Sequence, residues 1–140
     1  MIWGVIYLAA MISILIFVEI SKVPETRGAM RALCIASLLT LAAVLSGVHF
    51  YTASILLTML DFAVLGVFIV QALSSRRYWT LCLPAFQLIT CMIHLARFAA
   101  PDVLPRVYEA GQGFWAYPQM ALVLAAAIWG RSYRRALTRG

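Results

Sequence analysis

The stretch Tyr78–Arg97, YWTLCLPAFQLITCMIHLAR, decides how the rest of the chain is read. It follows an Arg76-Arg77 pair, and as a helix it spans ~30 Å, the thickness of a bilayer's hydrocarbon core. Thr80, Pro84, Gln87, Cys91 and His94 recur at steps of four and three. That spacing puts them on one helical face, the densest set of polar groups in the apolar sequence.

The surrounding chain has the same character. Its 140 residues are 64% hydrophobic and 11% charged, against roughly 45–50% and about 25% in soluble domains. A soluble fold of this size needs far more polar surface to cover its core. The apolar residues come in blocks with short polar punctuation between them, the pattern of a polytopic membrane protein. The expected fold is all-α: a single bundle of five transmembrane helices at about residues 2–20, 30–49, 53–73, 78–97 and 105–133. At ~20 residues per span, little is left but short loops and a tail, with no room for an extramembrane domain.

The boundaries follow from local chemistry. The first block lacks the basic start and small-residue cleavage site of a secretory signal and reads as a retained span. Lys22–Gly28, KVPETRG, reads as a polar turn, because Pro24 is excluded from a helix interior. Ala42/Ser46 and Ala43/Gly47 have the small-xxx-small spacing that lets helices approach closely in lipid. His49–Thr52 reads as an aromatic interfacial turn. Merging the blocks on its two sides would need an apolar helix of ~43 residues, far beyond one crossing. Asp102 and Pro105 suit the start of the last helix, whose first part, with Glu109 and Gln112, is expected in the headgroup layer. Pro118 removes the bond to Phe114 and is expected to kink that helix.

Charge sets the orientation. One set of alternate loops holds Lys22, Arg27, Arg31, Arg76, Arg77, Arg131, Arg134, Arg135 and Arg139; the other holds Arg97 and Arg106. Nine against two predicts an outside N-terminus and a cytoplasmic C-terminus. Net charge +6 invites thoughts of nucleic acid. The arginines, however, sit at span ends, where topology and anionic headgroups account for them. No aromatic-interleaved basic patch lies outside the spans, so no nucleic-acid partner is expected.

Orientation allows depths to be counted. Gln87 lies ~13.5 Å from the cytoplasmic edge and Asp61 ~13.5 Å from the outer edge, so both fall near the midplane of a core ~30 Å thick. An aspartate at the centre of a span costs roughly 2.5–3.5 kcal/mol on translocon scales. No Lys or Arg lies at its depth. An Asp61–Gln87 hydrogen bond between the third and fourth helices is therefore expected. Its role is open: a structural clasp, a proton relay or ion site, or a contact with another subunit's polar group.

His49 and His94 both fall toward the outer ends of their spans, at similar depth. Two such histidines can ligate haem iron axially or hold chlorophyll-type magnesium singly. They can equally contact a quinone or headgroup, or supply ordinary interfacial polarity. Glu19 with Lys22, and Glu109 near Arg97 and Arg106, read as surface ion pairs of small value. Cys34, Cys82 and Cys91 lie in apolar blocks without metal spacing and read as packing residues. GxSxG, HExxH, a Gly-rich phosphate loop and catalytically spaced carboxylates are all absent, so no catalytic residue, metal site or enzyme activity is expected. No transporter-type internal repeat is present, and five spans do not divide into inverted halves, so a transporter would have to be oligomeric.

RRYWTLCLPAFQLITCMIHLARF (76–98) and FWAYPQMALVLAAAIWGRSYRR (114–135) resemble segments of small five-span inner-membrane proteins common in alphaproteobacteria. These share an Arg-Trp/Tyr-Trp opening, a Phe-Gln pair in mid-helix, a His-Leu-Ala exit and a Tyr-Pro in the last span. The resemblance covers roughly the last half of the chain and places Gln87, His94 and Pro118 at motif positions. It implies a bacterial inner-membrane address and no particular activity, cofactor or substrate.

The expected function is association in the bilayer without catalysis, as an accessory or structural subunit of a larger membrane complex or as a homo-oligomer. One alternative is a haem- or pigment-binding electron-transfer or photosynthetic subunit using His49 and His94. Another is a small oligomeric channel, transporter or holin-like pore with Asp61 and Gln87 lining the path.

Overall fold

The computed structural model describes residues 2–47, 50–99 and 114–137. Among these residues the chain is all-helical, with no strand. The helices are α1 (Ile2–Ser21), α2 (Pro24–Leu45), α3 (Phe50–Ser74), α4 (Cys82–Ala99) and α5 (Ala116–Leu137), and a 3-10 turn at Tyr78–Leu81 leads into α4.

Prolines and one glycine set the ends, and in three places they move the boundaries expected from sequence. The polar segment after α1 is not a turn as far as Gly28. Helix α2 begins at Pro24 itself, where the missing N–H costs nothing and the fixed φ suits the first turn. The turn between α1 and α2 is correspondingly tight, with Lys22 in the left-handed region at φ 56°. Helix α2 also stops at Leu45 rather than near residue 49, because Gly47, at φ 65°, turns the chain out of the helix. A Cβ on Gly47 would meet nothing within 4 Å, so this glycine serves the turn and not a helix–helix contact. Ala42 and Ser46 are likewise exposed. The last helix does not run unbroken from residue 105: the chain is helical at Phe114, turns at Trp115, and α5 starts at Ala116. Pro118 thus stands in a first turn, and the interruption falls beside the bond to Phe114 that it cannot make. Residues 105–113, with Glu109 and Gln112, lie outside the described residues, as do Asp102 and Arg106.

Helix α3 packs most extensively on α4 and α2, while α1 packs on α5 and α2 and α5 also reaches α2. The shared core includes Met11, Val18, Met30, Val64, Phe68, Leu83 and Val123. Helices joined by a short connection run antiparallel, whereas α1 and α5 run parallel, with Tyr7 beside Tyr117 near one end and Phe17 beside Arg131 near the other. One end of the bundle accordingly gathers the α1–α2 turn, the α3–α4 connection and the end of α5, where Val23 faces Gly130 and Gln71 Nε2 donates to the Glu25 carbonyl. Glu19, Glu25, Arg27, Arg31, Arg77 and Arg131 cluster at this end. There the Glu19 carboxylate faces α2, with Arg31 Nε donating to Oε1 at 2.7 Å and Arg27 Nε 3.3 Å from Oε2. Glu19 thus pairs with arginines of α2.

The outer faces are apolar. Ile12, Ile16 and Ile20 of α1, Leu38 and Leu45 of α2, Met59 and Val70 of α3, Met92 of α4 and Trp129 of α5 are all at least half exposed. Ile55–Ser74 and Tyr78–Ala96 are long and apolar enough to cross a membrane, and Val5–Ser21 is a shorter apolar helix. Only 28% and 33% of the two long stretches is buried within the bundle, whereas the core helix of a soluble domain is mostly covered.

Candidate functional site

Helix α4 buries its most polar face. Thr80, Gln87, Thr90, Cys91 and His94 are buried, while Leu81, Leu88, Met92 and Leu95 are exposed. Pro84 is accommodated because the 3-10 turn delays the start of the α-helix to Cys82, which leaves the proline in the first turn. Of the cysteines, Cys34 and Cys91 are buried as packing predicts, but Cys82 lies on the exposed face.

The buried face closes on a single carboxylate. Gln87 Nε2 donates to Asp61 Oδ1 at 2.8 Å and to the Asp61 carbonyl at 3.2 Å. His94 Nε2 lies 2.7 Å from Asp61 Oδ2. Gln119 Nε2, from α5, donates to Gln87 Oε1 at 3.0 Å. Three helices are thereby joined through one run of side chains, Gln119–Gln87–Asp61–His94. The His94 side chain is 0% exposed and that of Asp61 24%. The 2.7 Å contact carries one proton, supplied by the imidazole or by the carboxyl.

Helix geometry explains how two side chains two turns apart meet one carboxylate. Cα–Cβ bonds tilt toward the helix N-terminus. In antiparallel α3 and α4 they therefore tilt in opposite directions, so Asp61 and His94 lean toward each other. Depth counted at Cα separates Gln87 from His94 by ~10.5 Å, which put His94 in a different layer from Asp61. That separation is corrected by the structure: His94 and Gln87 serve the same group, one oxygen each. The His49 side chain lies outside the described residues. In this arrangement Nε2 of His94 is taken by Asp61 and is not open to a metal or haem iron.

Sequence reasoning missed Gln119, a lone amide in an apolar run beside Pro118. A signal was available, since counting back from Arg131 puts Gln119 ~18 Å from the charged end, within reach of Gln87. It also missed the bond between Tyr7 Oη and Ser37 Oγ at 2.7 Å, which ties α1 to α2. Aromatic contacts close the remaining seams: Phe86 stacks on Trp115 at 6.0 Å, and Tyr7 meets Tyr117 edge-on at 5.5 Å.

Chemically, the arrangement holds a carboxyl in an apolar bundle. The two contacts on the carboxyl offset part of the cost of placing it among apolar side chains. Among the described residues no group of three or more His, Cys, Asp and Glu side chains is placed to hold a metal ion. Compared with known proteins, the chain matches no family model, no curated protein and no solved structure.

Proposed function

We propose that the chain is a five-span integral protein of a bacterial inner membrane, N-terminus outside and C-terminus cytoplasmic, that acts by association and not by catalysis. It would serve as an accessory or structural subunit of a larger membrane complex, or as a homo-oligomer. The observation that carries this reading is the inversion of polarity across α4. The face with Gln87 and His94 is consumed by contacts to Asp61 and Gln119, while Leu88, Met92 and Leu95 face outward. A network that closes on itself fixes α3, α4 and α5 and leaves the apolar exterior as the working surface. Gathering of the basic residues at one end supports the orientation.

The test is gentle solubilisation followed by mass measurement of the intact particle. A particle heavier than one chain, either homo-oligomeric or with other membrane proteins in fixed ratio, supports the reading. A monomer without partners contradicts it.

One observation favours a second reading, a proton or ion path: the Asp61 side chain keeps 24% of its surface open within a hydrogen-bonded run. Proton flux in liposomes that is lost in Asp61→Asn, with folding intact, would select that reading over the clasp.

A further inference from the structure

Away from the polar run, the charged end of the bundle carries an open cleft between the first turns of α2 and the last turns of α3, roofed by the α3–α4 connection. Val67, Val70, Gly28, Gln71, Arg76 and Arg77 are among the residues that line it. We propose that this cleft binds one anionic phospholipid of the leaflet facing the charged end, with the phosphodiester at the arginine pair and an acyl chain along Val67 and Val70. The proposal rests on the membrane reading above.

Charge argues for the headgroup. Arg77 Nε stands 3.6 Å from Glu25 Oε1, and both residues line the cleft with Arg76. Two guanidiniums and one carboxylate sum to a single positive charge, which one phosphodiester neutralises. The Glu25 pair also holds Arg77 at the cleft, and Arg77 N–H donates to Ser75 Oγ at 3.2 Å, which fixes the connection that presents both arginines. Helix α2 adds to the attraction. Its N-cap is Val23, which makes no side-chain bond to the first-turn amides, and the one acidic residue of that turn is the Glu25 already counted above.

Shape and depth argue for a lipid over a free anion. Val67 and Val70 are 51% and 64% exposed, on the same α3 face as Gln71 and Ser74. The cleft thus opens sideways along an apolar helix and not only toward water. A Cβ on Gly28 would meet nothing within 4 Å, so the cleft has room for a chain there. Basic pockets between transmembrane helices at the cytoplasmic surface are the sites where anionic headgroups lodge.

The test is thermal unfolding of the purified full chain in mild detergent. Titrants are phosphatidylglycerol, phosphatidylcholine and soluble glycerol 3-phosphate. Phosphatidylglycerol should raise the Tm by about 5 °C at saturation, while the other two leave it unchanged. Arg76→Gln should lose most of that shift, while Arg131→Gln, which removes one charge from the same end but outside the cleft, should keep it. Gly28→Leu, which fills the cleft and alters no charge, should lose the shift with its Tm in phosphatidylcholine preserved. An equal shift with glycerol 3-phosphate would overturn the lipid assignment in favour of a free phosphate ester. A shift that survives both Arg76→Gln and Gly28→Leu, or no shift at all, would overturn the site. If the chain instead leaves washed membranes without detergent, the membrane reading itself fails.

Discussion

Two carboxylates in this bundle are held in nearly the same way. Each oxygen of Asp61 faces one partner, Gln87 or His94. Glu19 accepts a hydrogen bond from Arg31 on one oxygen and has Arg27 Nε 3.3 Å from the other, an ion pair without a hydrogen bond. Their surroundings differ. His94 is 0% exposed, whereas Arg31 is 61% exposed and stands at the charged end. Water competes for the exposed Arg31 contact at Glu19 and screens it, so that contact orients the α1–α2 turn more than it stabilises it. At Asp61, 24% exposed and set against a fully buried His94, little can replace a lost partner, so each bond there is costly to break. The same geometry is structural in one place and nearly neutral in the other.

The sharpest break in this contrast is His94→Leu, which leaves Asp61 Oδ2 without its partner. Unfolding measured in detergent should show a loss of about 3–5 kcal/mol, the cost of orphaning one member of a buried pair. Next is Gly130→Ala, which tests whether packing rather than charge holds the charged end. A Cβ there would lie 2.8 Å from Val23 Cγ2, and overpacking of this kind costs about 1–3 kcal/mol. Val23→Ala in the same chain should recover part of that loss. Gln119→Leu removes the α5 end of the run and leaves Gln87 Oε1 without its donor. A loss of about 1–2 kcal/mol is expected, read as a lowered denaturation midpoint. Glu19→Gln should be the smallest effect, a midpoint indistinguishable from wild type at moderate salt. A large loss there would erase the distinction between the two carboxylates.

Much of the mid-bundle site is legible in the sequence because a helix converts residue number into depth. Nine residues from Tyr78 to Gln87, and nine from Thr52 to Asp61, put both at one level, and they are bonded in the structure. The buried stripe Thr80, Gln87, Cys91 and His94 is likewise a direct consequence of helical spacing. His94 was misplaced because depth was counted at Cα, whereas side chains lean along the helix and antiparallel neighbours lean toward each other. Gln119 is less legible, because a last helix read from Pro105 puts Glu109 and Gln112 in its first turns and leaves the amide beside Pro118 alone in an apolar run. Gly47 illustrates a different limit. Its spacing with Ala43 fits a packing motif, yet its positive φ makes it the turn that ends α2. Spacing cannot distinguish those roles, because both require the absence of a side chain.

The central claim, that the mid-bundle polar residues form one closed structural network, is tested most directly by a double-mutant cycle between Asp61→Asn and His94→Gln, read by unfolding in detergent. The two substitutions should be non-additive by at least about 1 kcal/mol, the double variant losing less than the sum of the singles. Additive losses would mean that the two groups do not depend on each other, and the closed network would be wrong.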